Sequence, residues 1–264
     1  FAIVQVCLGL QFSIFPTIGM MKVRKRKVVI LVFAFLFITT LGSYQYFKIQ
    51  GQSSLEIKTK KQDVNNISLP TVLTEDKITY LQNKYHNEDI KAIISIDNDN
   101  FSYPVAQTFD NDYYLTHDYN KENDALGSIY ADYRVNLNGG KKILIFGHSS
   151  TIRDTAFNHL EKYYDEDYFS NHRNLTLETS ENTYHYEIFS VYVETSDFTY
   201  MNLNFDSSLK WLAHIKGLQD KSWYSTTTSL REDDDILILQ TCSNHKKYKK
   251  NKNKYLLIIS RRVN

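Results

Sequence analysis

From residue 90 to the end of the chain, short apolar runs recur at close intervals and each is stopped by a turn, a pattern that admits few folds. Ala92–Ile96 is bounded by Asp97-Asn98-Asp99-Asn100, Phe101–Gln107 follows, and Lys142–Phe146 comes after Asn138-Gly139-Gly140. Leu175–Thr179 and Tyr184–Tyr192 flank Ser180-Glu181-Asn182 as a hairpin, and Ile236–Gln240 and Tyr255–Ile259 close the series. Runs this short, rich in Ile, Val, Tyr and Phe, are strands rather than helices. Pro104 cannot donate to a ladder and marks an edge or a strand end. Between the strands, Leu209, Leu212, Ile215 and Leu218 repeat at helical spacing within Ser207–Leu218, and Thr155–Tyr164 forms a second short helix. Many short strands with a few helices describe a mainly β fold, a closed or nearly closed β-barrel with helical insertions. Tyr (20) and Phe (15) outnumber Gly (9) and Pro (3), which suits a β-rich core and not a linker-rich chain.

The N-terminal part follows other rules. Lys22-Val23-Arg24-Lys25-Arg26-Lys27 is a basic flank, and no charge then occurs until Lys48. Residues 28–47, about 20 at ~1.5 Å each, span roughly 30 Å of hydrocarbon as a transmembrane helix. Tyr44, Tyr46 and Phe47 lie at its outer end, and the positive flank stays cytoplasmic. The expected organisation is therefore a single-pass cell-membrane protein with its C-terminal domain outside. Bulky residues after Thr39-Thr40-Leu41-Gly42-Ser43 argue against a cleaved signal peptide. Residues 48–87 read as a polar stalk with a helix near Leu73–Tyr85 begun at Thr74, and 88–264 as the main domain. Residues 1–21, apolar and opening on Phe, are read as no part of the mature product.

A net charge of +1 offers no global field for nucleic acid. No Cys-x-x-Cys, His-Glu-x-x-His or glycine-rich phosphate loop occurs, so neither metal nor cofactor is expected. Asp233-Asp234-Asp235 reads as a solvated turn, and Lys246–Lys254 as an extracellular loop suited to anionic envelope polymers or to substrate.

Two residues stand out by position. Cys242 ends the run Ile236–Gln240, where a buried strand reaches the surface, and its only companion, Cys7, precedes the membrane segment. Such a cysteine is a poor disulfide partner and a nucleophile candidate, against the alternative of an inert buried thiol. Among eight histidines, His148 alone follows a buried strand directly, through Gly147, whose lack of a side chain permits a sharp exit. His185 alternates with tyrosines on a sheet surface, and His214 sits on the amphipathic helix. A nucleophile and a base that both emerge at strand ends can converge across a barrel rim.

Several stretches together resemble the sortases, and their class B in particular. They are Tyr103–Gln107, Asp110–Asp118, Gly127–Arg134, Ile145-Phe146-Gly147-His148 and Leu239-Gln240-Thr241-Cys242, with helix Ser207–Leu218 between the histidine and cysteine strands. The resemblance covers roughly residues 70–264 and implies a sortase-like barrel bearing a cysteine transpeptidase without a cofactor. It implies that Cys242 attacks a C-terminal sorting motif of a secreted protein and forms a thioacyl enzyme. His148 would protonate the leaving amine, Thr241 would shape the substrate groove, and an amine of the cell wall, or a pilin lysine, would accept the acyl group. A non-catalytic surface binding module and a hydrolysing cysteine peptidase are the rival readings. One part departs from the pattern. The family carries an arginine at the start of the last strand, where this chain has Lys254-Tyr255. Lys254 is the leading replacement and Arg261 the fallback, although six residues of strand put Arg261 roughly 20 Å from residue 255.

Overall fold

The computed structural model describes residues 76–263, so the basic flank, the membrane segment expected at 28–47 and most of the stalk lie outside the described residues. Among those described, no helix is long and apolar enough to cross a membrane. Helix α1 (Lys77–Tyr85) is capped by Asp76, whose carboxylate accepts from the Thr79 amide at 3.2 Å. Thr74, the start expected from the sequence, falls outside the described residues.

Eight strands follow: β1 (Ile90–Ile96), β2 (Ser102–Ala106), β3 (Tyr130–Ala131), β4 (Lys142–Phe146), β5 (Asn174–Thr179), β6 (Thr183–Glu194), β7 (Ile236–Cys242) and β8 (Tyr255–Arg262). They close into a barrel in the order β1-β2-β3-β4-β7-β8-β6-β5. The expected barrel is present and fully closed. Pro104 behaves as its chemistry requires: β2 meets β3 only through Ala106 and Tyr130, so no ladder bond is lost on that side. Closure leaves no exposed edge.

The continuous apolar runs of the central strands have a direct cause, since both faces are covered. Inside the barrel, Ile143, Ile145, Leu237, Leu239, Leu256 and Ile258 pack in one cluster. Their alternates Leu144, Phe146, Ile236, Ile238, Leu257 and Ile259 pack in a second cluster with α2 (Ser208–Asp220). Helix α2 starts on Ser207, whose hydroxyl accepts from the Lys210 amide at 3.2 Å. It buries Trp211, Ile215 and Leu218, and the Trp211 indole donates to the Asp234 carbonyl at 3.0 Å. Leu209 is a correction to the expected apolar face: it is 69% exposed. Two residues before Trp211 it lies ~200° around the helix, off the buried stripe.

Residues Ala156–Tyr164 form 3₁₀ turns and bury Phe157, Leu160 and Tyr163 against the barrel. A short helix at Glu166–Asn171 follows, and it was not legible in the sequence.

Candidate active site

The parallel pair β4–β7 builds the site. Phe146 is opposite Gln240, and the ladder runs one bond further as the Gly147 amide donates to the Gln240 carbonyl at 3.2 Å. Two residues beyond this last pair, on strands that advance together, come His148 and Cys242. On the other side of β7, the antiparallel pairing sets Tyr255 opposite Cys242. One row across three adjacent strands thus reads His148, Cys242, Tyr255. All three line one cleft with room for about 30 Å³, walled also by Leu115, Tyr130 and Phe146.

Gly147 is required here for space. A Cβ on it would stand 2.7 Å from the Phe157 ring, which roofs the turn into His148. Gly127 carries a different demand. Its φ is +51°, and a Cβ would come 2.1 Å from the Tyr114 carbonyl, in the loop that supplies Leu115.

The His148 ring is held by Nε2 donating to the Leu115 carbonyl at 3.0 Å. A carbonyl only accepts, so Nε2 carries a hydrogen and Nδ1 is the nitrogen with a lone pair in the neutral ring. Burial lowers the His148 pKa below its ordinary value, and the Leu115 carbonyl and the Asp124 carboxylate oppose this without reversing it. Asp124 is itself held ionised, first by Arg153, whose guanidinium reaches both its oxygens at 2.5 and 2.6 Å.

The loops after the two strands are tied together. Asn244 donates to Ser149 Oγ at 2.8 Å and to Glu161 Oε1 at 2.6 Å, and Ser149 donates to the same Glu161 oxygen at 2.8 Å. Thr155 donates to the His148 carbonyl at 2.5 Å, and Asn158 fixes Ser150 through its amide and carbonyl, at 2.7 and 2.8 Å. Ser243, fully buried, meets the Tyr164 hydroxyl at 2.8 Å. The residues that follow histidine and cysteine are thus joined through Ser149, Glu161 and Asn244.

Sulfur attacks as the thiolate, so the chemistry below concerns the reduced form.

The other expected site residues are placed differently. Thr241 lines the cleft, but strand alternation puts its side chain on the face of Leu239 and Leu256, and its buried hydroxyl has no hydrogen-bond partner. Lys254 precedes β8, its carbonyl accepts from the Ser243 amide at 2.8 Å, and it is not among the residues that line the cleft. Arg261 is opposite Ile236, at the far end of β7 from Cys242, and pairs with Glu187 at 3.2 Å. The structure brings Cys242 and His148 together and leaves both cations outside. The lining residues missed as site residues include Leu115, Tyr130, Phe146 and Gln240; each lies in a stretch that carries the sortase resemblance, but none bears a distinctive chemical signal. Among the described residues, no three His, Cys, Asp or Glu side chains are grouped to hold a metal ion.

Comparison with known proteins bears on the family and the fold. The sortase domain family matches residues 94–261. The chain is 34% identical over 167 residues to sortase B of Listeria monocytogenes, an alignment spanning 62% of this chain and 67% of that protein. Against sortase B of Staphylococcus aureus it is 27% identical, spanning 59% of this chain and 64% of that relative. A solved mutant form of Clostridium perfringens sortase B superposes with a TM-score of 0.62 at 28% identity, covering 70% of this chain and 85% of that one.

Proposed function

The chain belongs to the sortase family, class B, and on that premise we propose that it is a cysteine transpeptidase of the cell surface. The observation that carries the reading is the adjacency of His148 and Cys242 at the ends of two parallel strands in one cleft. The Cys242 thiolate attacks the backbone carbonyl at the Thr of a C-terminal sorting motif, and a C–S bond forms. As the tetrahedral centre collapses, the C–N bond breaks and His148 gives the departing amine its proton. An incoming amine, deprotonated by His148, then attacks the thioester and releases the sulfur. The acceptor is an amine of the cell-wall peptide; a pilin lysine would make the product a polymer. The lowered His148 pKa favours the neutral ring, the form that can take a proton from the incoming amine.

The apolar stretch 28–47 with its basic flank supports anchorage in the cell membrane with the barrel outside. Fractionation of cells expressing the full chain or a chain lacking 28–47 tests this: equal release of both into the soluble fraction contradicts it. The activity is tested on the reduced protein with a panel of sorting-signal peptides, with and without an amine acceptor. Transfer product is expected with the amine present. Hydrolysis alone under both conditions would make the protein a peptidase, and a Cys242 that resists a methanethiosulfonate reagent would leave a binding module.

A further inference from the structure

We propose that a pocket beyond His148 receives the aliphatic stem of the acceptor amine. The acyl enzyme is then resolved by a primary amine on an unbranched methylene chain, as in the side chain of a diamino acid. The inference rests on the acyl-transfer reading above and names the chemistry of its second substrate. The pocket has room for about 140 Å³ and is walled by Tyr103, Tyr119, Leu126, Ile129, Ala156 and Phe157. His148 is the one residue that lines both this pocket and the Cys242 cleft. In the barrel, β4 has β3 on one side and β7 on the other. The cleft takes Gln240, Thr241 and Cys242 from β7. The pocket takes Tyr103 from β2, residues 126–129 from the approach to β3, and nothing from β7. The sulfur and the pocket therefore lie on opposite sides of His148.

In the transfer step the amine nitrogen bonds to the thioester carbon and its proton passes to His148. The C–S bond breaks, and its electron pair returns to sulfur. Neighbouring strands stand ~4.8 Å apart, so a nitrogen bonded to a carbon at the β7 sulfur already lies beside the ring that ends β4. What the nitrogen carries points away from that carbon, past the ring and into the pocket. The lining decides what this can be. None of it is Asp, Glu, Lys or Arg. Three of its four hydroxyls are engaged: Ser128 donates to the His117 carbonyl at 3.2 Å, Thr155 to the His148 carbonyl at 2.5 Å and Tyr119 to the Pro104 carbonyl at 2.5 Å. Rings and alkyl groups make up the rest. The α-amine of a glycine peptide would bring a carbonyl and an N–H into this space one carbon behind the nitrogen, where both lack partners at a cost. A methylene chain needs no partner and gains by being covered.

The test uses the reduced protein, freed of reductant, and a small activated ester, 4-nitrophenyl acetate, which acetylates Cys242 without needing a sorting motif. Release of 4-nitrophenolate reports acylation, and mass spectrometry of the products reports how the acyl enzyme divides between amine and water. The acceptors are the Nα-acetyl amides of diaminopropionic acid, diaminobutyric acid, ornithine and lysine, which lengthen the stem one methylene at a time. Glycinamide, whose amine adjoins its amide, is the comparison. Corrected for the unprotonated fraction of each amine, the ratio of transfer to hydrolysis is expected to rise about fourfold for each methylene covered. Leu126→Ala strips the wall and Ala156→Leu fills the space, and each is expected to flatten that series. A series that is flat in the wild type, or unaltered in both variants, overturns the inference; transfer to glycinamide would then leave transpeptidation standing. An acyl enzyme that water alone resolves overturns both.

Discussion

At the level of single residues, the two that were legible are those whose position carries chemistry. Cys242 and His148 could be read because each follows an apolar run that has to be a buried strand. The positive group could not, because its place depends on strand pairing: only the pairing of β7 with β8 shows that residue 255 faces Cys242 and that Arg261 faces Ile236. A second residue on which sequence reasoning is silent is Lys142, the first residue of β4. It is 4% exposed, and its ammonium meets the Asn202 carbonyl at 2.8 Å and His214 Nε2 at 2.9 Å. Burial, with a smaller contribution from Arg134, brings its pKa down to about 7. The unfolded chain keeps this proton up to the ordinary lysine range while the folded one releases it near neutrality. Between pH 7 and 10.5 the unfolded state therefore binds more protons, and stability rises with pH. Lys142→Met should flatten that rise, as measured by denaturant midpoints across the interval; an unchanged slope would mean that another group carries it.

At the level of elements, the existence and approximate bounds of every strand but the two-residue β3 followed from periodicity, and so did the hairpin of β5 and β6 and the helix α2. Closure and strand order did not. The parallel contact between β4 and β7 joins segments separated by two strands and two helices, and nothing local encodes it. The same contact creates the site, because it brings two strand ends out side by side. Gly147 shows how a correct expectation can have a different cause. A glycine was expected for its backbone freedom, whereas the structure needs it because Phe157 occupies the space a side chain would take. Gly147→Ala should thus cost about 1–3 kcal/mol, the usual penalty of overpacking. It should also slow Cys242 acylation, since the ring displaced is the one over the His148 turn. Thermal melting and the ester assay measure the two effects. Wild-type stability in this variant would show that Phe157 gives way freely.

At the level of the whole molecule, the chain couples an N-terminal segment with the composition of a membrane anchor to a barrel whose chemistry is confined to one rim. The Lys246–Lys254 loop joins β7 to β8 beside that rim, so its charge stands where an anionic wall polymer or an acyl donor would approach. Family membership, the barrel and the histidine–cysteine adjacency all lead to one covalent intermediate, and that intermediate is the central claim. Intact-protein mass spectrometry of the reduced enzyme, quenched during turnover of a sorting-signal peptide, tests it most directly. The account predicts a single acyl adduct on Cys242 that hydroxylamine removes. The adduct should be absent from Cys242→Ala and should form on the order of 10² more slowly in His148→Ala. Turnover without any adduct, or the same adduct on Cys242→Ala, would contradict it.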